Sequence, residues 1–580
     1  PVHTVSEALY YSPGVHMNPR GGTGQTVLPS IYGAPHRNVL VLVDGVPIND
    51  QAEGFGDVAQ IPSENVEKIE IVKGAGSSQW GSSIGGVINI ITKNPQDQDQ
   101  KFGGDVTLGY GRWNTQDFRF SLNGNINGFG YVLSGSRLAS EDFSDGSGVK
   151  LDRSDSDTFK GFAKIITPKW RNTQMTFSYL QTDAEVGMFE NPVFGLWWNG
   201  DTKMKVGRAN LVYQPHEKLD IDVNFEFNNR DGVVRQFLLE NDQFFGNLTL
   251  DETTWNVKGK LGTSLLPSNR LIAGVDFLTS DFSFGRIFGP IASGPDDYDL
   301  RETALYFNDQ HTFGNLSVTV GARFDDNSEF GSHFSPSFGA VVNSNQIRTL
   351  ARVSISRVFD PPTLLFRYMD SNPALGTTGN PELKAEKAWA YNVGIESHYL
   401  DFLWTKITAF KLDMEDLIGF EVITDSNDVN FGLRKAVNIG EARRQGVEIE
   451  LGLEFPFGLS LLGAATLIEA KDLITDQTIK GIPTQTFDLG LTYINSGFTL
   501  NVKGRYVNQN EDPELGQIPG FVINDKALLW DAKISYLYKL RSYKLTSYVS
   551  LHNITSKKLG VEPFYHVPGR WLEGGIKFGF

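Results

Sequence analysis

From Lys101 to the last residue, apolar and polar side chains alternate with a period of two, which is how strands with one apolar and one wet face are written. The stretch 220–228 is the cleanest case: Ile221, Val223, Phe225 and Phe227 share one face, and Asp220, Asp222, Asn224, Glu226 and Asn228 share the other. The same alternation marks 101–110, 118–123, 318–325, 445–451 and 498–506. Charges at every second position require a face open to water, which either a barrel lumen or one side of a soluble sandwich provides. Tyr, Phe and Trp gather at strand ends, where a bilayer places its aromatic girdles, and that favours the barrel. Positions 101–580 divided among about 22 strands leave roughly 22 residues for each strand with its connection, enough for a tilted ~10-residue span with short turns and long loops in alternation.

The opening stretch follows a different rule. Short runs that are apolar on both faces, Val39 to Val43, Ile69 to Val72 and Val87 to Ile91, predict buried strands separated by Gly-rich loops. Thr4 to Leu9, closed by Pro13-Gly14, predicts a short helix, and Asp44-Gly45 a tight turn after a strand. Residues 1–95 are therefore expected to form a compact α+β unit, 95–100 (Pro-Gln-Asp-Gln-Asp-Gln) a polar, unstructured linker, and 101–580 the strand-rich domain.

Composition sharpens this picture at a few points. With 40 Phe, 19 Tyr and 10 Trp but only 40% hydrophobic residues, the chain fits a barrel whose inner face dilutes its apolar outer face. No apolar run approaches the ~18 residues of a spanning helix, so residence in a membrane would use strands. The absence of Cys excludes disulfides, thiolate metal sites and a Cys nucleophile. A net charge of −16 argues against nucleic acid as a partner and is otherwise accounted for by solvated loops. The chain opens at Pro1 without an initiator Met or a leader pattern, as expected of a processed product.

An ordered set of motifs in the first domain carries a family resemblance. Ser6-Glu7-Ala8-Leu9 to Pro13-Gly14-Val15, Val39 through Asp44-Gly45-Val46-Pro47-Ile48-Asn49, Ile61-Pro62 with Val66-Glu67-Lys68-Ile69-Glu70 and Lys73-Gly74, and Trp80-Gly81 to Ile84-Gly85-Gly86-Val87-Ile88-Asn89-Ile90-Ile91-Thr92 resemble the plug of TonB-dependent outer-membrane receptors. Ser356 to Thr363 with Gly379 to Lys387, Asn438 to Ala442 with Gln445 to Glu448, and Asn553-Ile554 with Pro568-Gly569-Arg570 are similar to barrel segments of the same family. The resemblance implies an all-β membrane protein, an antiparallel transmembrane β-barrel of about 22 strands with the N-terminal plug inside its lumen. The terminal Phe580, after an alternating strand, resembles the signal read by the barrel-insertion machinery. The plug glycines Gly74, Gly76, Gly81, Gly85 and Gly86 suit turns and close backbone approach; a phosphate loop is disfavoured because no Gly-Lys-Ser/Thr opens a helix there.

Function follows as an implication of the resemblance: uptake of a scarce ligand across the outer membrane, driven by the TonB–ExbB–ExbD complex pulling on a peptide placed before Pro1. The partners implied are the lipid bilayer, lipopolysaccharide and a small-molecule ligand, with the receptor monomeric and no cofactor required. Gly321 to Gly331 and Asp413 to Ile418 look most like the cobalamin transporters, which points to a corrinoid; a ferric siderophore or another metal chelate stands as the alternative. Haem receptors of this family carry a His between the mid-barrel box and the Asn-Pro-Glu stretch, and none lies between Phe359 and Glu382.

Ligand contacts in such receptors lie on plug apices and extracellular loops. The candidates here are His16, Asn18, Arg20, Gln25, His36, Gln51 and Phe55 in plug loops, with Phe194, Trp197 and Trp198 in an aromatic loop spanning 190–200. Exposed aromatics stack on flat or greasy ligands, although the same residues would also suit an interfacial belt, and isolated loop histidines are ordinarily plain polar residues. Glu141, Asp142, Asp145, Asp152, Asp155 and Asp157 crowd one loop. Asp145, Asp152, Asp155 and Asp157 are the candidate Ca²⁺ ligands, since hard carboxylate oxygens suit that ion and cobalamin transporters use an Asp-rich loop similarly; a solvated acidic loop is the plainer alternative.

Two departures from the family pattern stand out. Ile31-Tyr32-Gly33 replaces the usual Ile-Arg-Gly, whose Arg pairs with the barrel, so the plug lock is expected to differ, with Arg37 as a substitute. Asp360 stands where a basic residue is usual. An enzyme reading finds no motif joining a nucleophile to a base, and a surface signalling receptor would carry a further domain ahead of the plug.

Overall fold

The computed structural model describes residues 3–75, 79–81, 83–97, 100–191, 195–264, 266–288, 291–368, 377–428, 430–509, 526–558 and 566–580. Twenty-two antiparallel strands, from Gly103–Gly111 to Trp571–Gly579, close into one barrel. The last strand pairs with the first from Glu573↔Gly111 to Gly579↔Asp105, and closure leaves no sheet edge. Both the linker and Phe580 lie at one end, where Gly104 and Phe580 exchange backbone hydrogen bonds of 3.0 Å. Connections at that end are tight turns such as 127–128, 217–218 and 314–315. The long connections, 141–155, 361–385 and 416–441, lie at the other end. This asymmetry sets the turn end toward the periplasm and the loop end outside the cell.

Period two does the sorting the sequence requires. Leu108, Phe118, Phe159, Phe225, Phe277 and Leu305 are all more than 40% exposed on the outer wall, as a lipid-facing band must be. No helix among the described residues is long and apolar enough to cross a membrane, so the strands supply the crossing. Inward positions carry buried charge instead: Arg119, Lys160, Lys164, Glu226, Arg230, Arg323, Glu448, Asp488 and Arg505.

Strand length departs from the sequence expectation of ~10-residue spans. The six strands from Thr173–Asn191 to Ile291–Phe313 each run to 19–23 residues. A 20-residue strand tilted by ~40° climbs ~50 Å, about twice the apolar band of an outer membrane. Segments expected as loops are instead paired hairpin arms that raise one side of the wall above the bilayer, because each added residue gains ladder hydrogen bonds from both neighbours.

The plug fills the lumen. Its helix α1 (Val5–Leu9) is capped by Thr4, whose hydroxyl accepts from the Glu7 N–H. Strands β1 (Val15–Pro19) and β2 (Val27–Ile31) form a hairpin. Strands β3 (Val39–Val43), β4 (Val46–Pro47), β5 (Val66–Lys73) and β6 (Gly86–Thr92) form a mixed sheet ordered β4-β3-β6-β5, with β3 and β6 parallel. Asp44 and Gly45 both have positive φ, 49° and 87°, as a tight β3–β4 turn with two left-handed central residues demands. Val41, Ile48, Val58, Ile88 and Ile90 are the fully buried centre of this unit. Gly86 is obligatory: at φ +134° an added Cβ would come within 2.3 Å of the Val72 carbonyl oxygen. Of the other plug glycines singled out from the sequence, Gly76 lies outside the described residues.

The linker is more ordered than its composition implies. Pro95–Asp97 forms a 3₁₀ turn, and Gln96 Nε2 donates to the carbonyls of Thr167 (2.8 Å) and Gly128 (3.2 Å) at the periplasmic turns. Its side chain finds fixed acceptors on the barrel rim, which a local reading of polarity could not foresee.

Candidate functional site

Buried charges hold the plug to the wall and so fix what its upper loops present. Lys164 Nζ meets Asp44 Oδ2 at 3.1 Å and donates to Thr92 Oγ1 at 2.8 Å, and Arg230 Nη1 meets Asp50 Oδ2 at 2.6 Å. Arg505 forks onto Asp488 (2.6 and 2.9 Å) and also donates to the plug carbonyls of Val15 (2.9 Å) and Ser12 (3.0 Å). The altered lock draws on a second residue besides the Arg37 expected. Tyr32, in place of the family Arg, stacks on Phe410 with ring centroids 3.8 Å apart, and Lys73 supplies the cation, 2.6 Å from Glu448 Oε1 and 3.8 Å from Glu450 Oε1. Arg37 also pairs with the barrel, with Glu386 at 3.2 Å. Asp360 is buried and accepts from Asn38 Nδ2 at 2.8 Å, so its place in the mid-barrel box serves plug docking.

Above the plug, and walled by the tall strands, lies a cavity of about 570 Å³. The plug contributes Arg20, Gln25, His36, Arg37, Asp50, Glu53, Phe55, Asp57 and Gln60 to its floor. The barrel contributes Met188, Trp198, Arg230, Gln236 and Phe284, and the loops roof it with Phe366 of helix α2 (Leu364–Tyr368) and Phe420 of the strand Ile418–Val422. Two features define its chemistry. Five aromatic rings, Phe55, Trp198, Phe284, Phe366 and Phe420, supply flat apolar surface. Three arginines, Arg20, Arg37 and Arg230, face three acids, Asp50, Glu53 and Asp57, so the lining is balanced in charge. Burial and the neighbouring Asp50 push the Glu53 carboxyl up from its usual range to about 7.

Five of the residues singled out from the sequence meet here: Arg20, Gln25, His36, Phe55 and Trp198. Arg20 lies over the Phe55 ring at 4.5 Å, and His36 packs edge-on to it at 4.8 Å. Gln25 is a structural pin, donating to the carbonyls of Ser154 (2.9 Å) and Gly187 (3.0 Å). Gln51 lines a neighbouring cavity deeper along the wall and donates its N–H to Glu252. His16 is buried on β1 and Asn18 is part-buried there; neither lines the cavity.

Trp197 and Trp198 stand on the strand Leu196–His216 and not in a loop, so pleating sends them to opposite faces. Trp198 points into the cavity, whereas Trp197 stacks on Phe237 at 4.3 Å beneath Arg153. Phe194 lies outside the described residues. The tall wall also supplies contacts that sequence reasoning missed, Arg230 and Gln236 among them. Continuing the inward phase of Asn224, Glu226 and Asn228 past residue 228 would have reached both.

The acidic loop does not gather its carboxylates. Asp145 accepts from Ser147 N–H and hydroxyl and meets Lys558 Nζ at 2.8 Å; Asp152 pairs with Lys150, and Asp157 with Arg137. Asp155 is exposed. Among the described residues no group of three or more His, Asp or Glu side chains converges to hold a metal ion. Asp145, Asp152 and Asp157 thus each face a cation.

The buried plug histidines make a pH prediction. Burial, with Arg505 beside it, lowers His16 to about 3, and burial with Arg20 and Arg37 lowers His36 to about 3. Both stay neutral in the folded plug while the unfolded chain takes up protons below about 6.5. Their penalty therefore grows as pH falls from 6.5 toward 3. His3 leaves this window untouched. Burial alone would lower it, but Glu7 and Glu573 raise it to about 10, so its contribution is complete below 6.5 and is lost only as pH rises toward 10. Between pH 7 and pH 5, His16 is expected to cost the folded receptor about 2 kcal/mol, so the urea midpoint of His16→Leu in detergent should gain on that of the wild type by this equivalent as pH falls across the interval. An unchanged slope in the variant would refute the assignment.

Comparison with known proteins decides the family. The family model described as "TonB dependent receptor-like, beta-barrel" matches residues 81–554, and "TonB-dependent Receptor Plug Domain" matches residues 1–87. The chain belongs to the TonB-dependent receptors. Among curated relatives, the receptor is 26% identical over 524 residues to the vitamin B12 transporter BtuB of Vibrio vulnificus (strain YJ016), covering 88% of this chain and 80% of that one. Among solved structures it is similar in fold to the copper transporter OprC (TM-score 0.84, 15% identity, covering 100% of this chain and 97% of that one). The siderophore receptor PirA from Acinetobacter baumannii aligns with TM-score 0.78 at 18% identity, covering 100% and 96%. The receptor is thus a TonB-dependent transporter of the outer membrane, from a family of transporters and receptors and not of enzymes.

Proposed function

We propose that the receptor takes up a corrinoid, energised by the TonB–ExbB–ExbD complex and working as a monomer in the outer membrane. The observation that carries this reading is the charge-balanced, aromatic-lined cavity above the plug. A ferric catecholate complex is strongly anionic and would call for surplus cations, whereas a corrin is flat, greasy on its faces and fringed with neutral amides. Aromatic rings suit the faces, and the paired polar groups suit the fringe. The sequence likeness to a vitamin B12 transporter supports the same choice.

The test is a titration of the purified receptor in detergent with cyanocobalamin and, separately, with ferric enterobactin. Saturable binding of cyanocobalamin with affinity at least tenfold above that for ferric enterobactin is expected; the reverse order would overturn the corrinoid reading. In cells, accumulation of labelled cyanocobalamin should stop when a protonophore collapses the inner-membrane gradient.

A further inference from the structure

Trp198 and Gln236 stand directly opposite each other on the adjacent strands Leu196–His216 and Leu219–Leu238, and both line the cavity. Gln236 is 1% exposed, yet its Oε1 has no hydrogen-bond partner among the described residues, and the same is true of the buried Trp198 Nε1. Native interiors rarely leave such groups unpaired, because each costs free energy unless a partner arrives. Here the two lie side by side, one an N–H donor and one a carbonyl acceptor, at Cβ positions ~5 Å apart as cross-strand neighbours are.

We infer that Trp198 and Gln236 form a subsite for a primary carboxamide of the ligand. The amide carbonyl accepts from Trp198 Nε1–H, and one amide N–H donates to Gln236 Oε1. A carboxamide offers an acceptor and a donor in one plane, which is the complement of this pair. A carboxylate offers acceptors alone and sets a negative oxygen against Gln236 Oε1. This inference rests on the cavity being the ligand site and on the corrinoid reading above, since a corrin carries such amides around its rim.

The experiment uses the whole receptor in detergent, cyanocobalamin, and the full set of its derivatives in which a single peripheral carboxamide is hydrolysed to carboxylate. Wild-type receptor is expected to bind one of these monoacids about tenfold more weakly than the parent. Trp198→Phe, which keeps the ring and removes the N–H, and Gln236→Leu should each weaken the parent about tenfold and abolish its advantage over that monoacid. Gln236→Glu keeps an acceptor and should retain the amide while rejecting the acid more strongly. If wild type binds cyanocobalamin but all the monoacids bind equally well, or if neither variant weakens the parent, the subsite is refuted and the corrinoid reading survives. If wild type binds no corrinoid, that reading fails and the subsite falls with it.

Discussion

Replacing Arg505 by alanine is expected to loosen the plug's hold on the barrel by about 3–6 kcal/mol, two hydrogen bonds from a charged donor at about 1.5–3 kcal/mol each, and to make the closed pore leak. Arg505 is 1% exposed, and its guanidinium satisfies Asp488 on the neighbouring strand together with the plug carbonyls of Ser12 and Val15. Alanine leaves the Asp488 carboxylate buried without its cation and takes the guanidinium donors from the Val15 and Ser12 carbonyls, of which Ser12 keeps only the Val15 N–H, where the plug turns from α1 into β1. Barrel closure does not depend on this contact, since all the strand pairing lies in the wall, so the barrel should persist while the plug becomes mobile. Planar-bilayer recordings should show open-channel conductance without ligand, and cells should become sensitive to antibiotics too large for ordinary porins. Arg505→Lys keeps the charge but lacks the planar fork, and should fall between the two. Wild-type conductance in the alanine variant would show that the Lys164–Asp44, Arg230–Asp50 and Lys73–Glu448 contacts keep the plug seated without Arg505.

Phe55→Ala should cost the receptor about 2 kcal/mol of affinity for cyanocobalamin, roughly a thirtyfold rise in Kd, as expected of an aromatic anchor at the centre of a site. Phe55 sits on the plug loop that forms the cavity floor, held between Arg20 and His36. Removing its ring takes away the flat surface, and little of the plug core changes because Phe55 stands outside the buried cluster that contains Ile48, Val58 and Ile90. Phe55→Tyr should bind nearly as wild type. The readout is titration at constant pH and salt, with barrel integrity checked by its heat-resistant migration on gels. Unchanged affinity in the alanine variant would move the site away from this cavity.

The His16 slope, the ligand ranking and the carboxamide pair are independent of these two results. A receptor could lose its plug lock and still prefer a corrinoid, and could bind through Phe55 without the Trp198–Gln236 contact.

The strand number came with the family resemblance, but the sequence by itself determined the division of the chain into a mixed α+β opening and a long period-two remainder, the Asp44-Gly45 turn, and which face of each strand is wet. These are local properties: turn chemistry and side-chain alternation are written in neighbouring residues and hold whatever the rest of the chain does. Ordered motifs in the plug and mid-barrel were legible for the same reason. What lay beyond local reading was partnership. The aromatic stretch at 190–200 read as a loop because glycine and proline punctuate it, but pairing with both neighbours drew Leu196 to Gly200 into a strand and split Trp197 from Trp198. Lys73 replaced the missing arginine of the plug lock because folding placed it beside Glu448, a residue 375 positions away. Arg137 and Lys558 reached the carboxylates of Asp157 and Asp145 from other segments of the barrel. The cavity itself, assembled from plug loops, tall strands and a roofing helix distant from one another in the chain, came into being only when the sheet closed, because charge compensation and enclosure depend on distance through space and not on spacing along the chain.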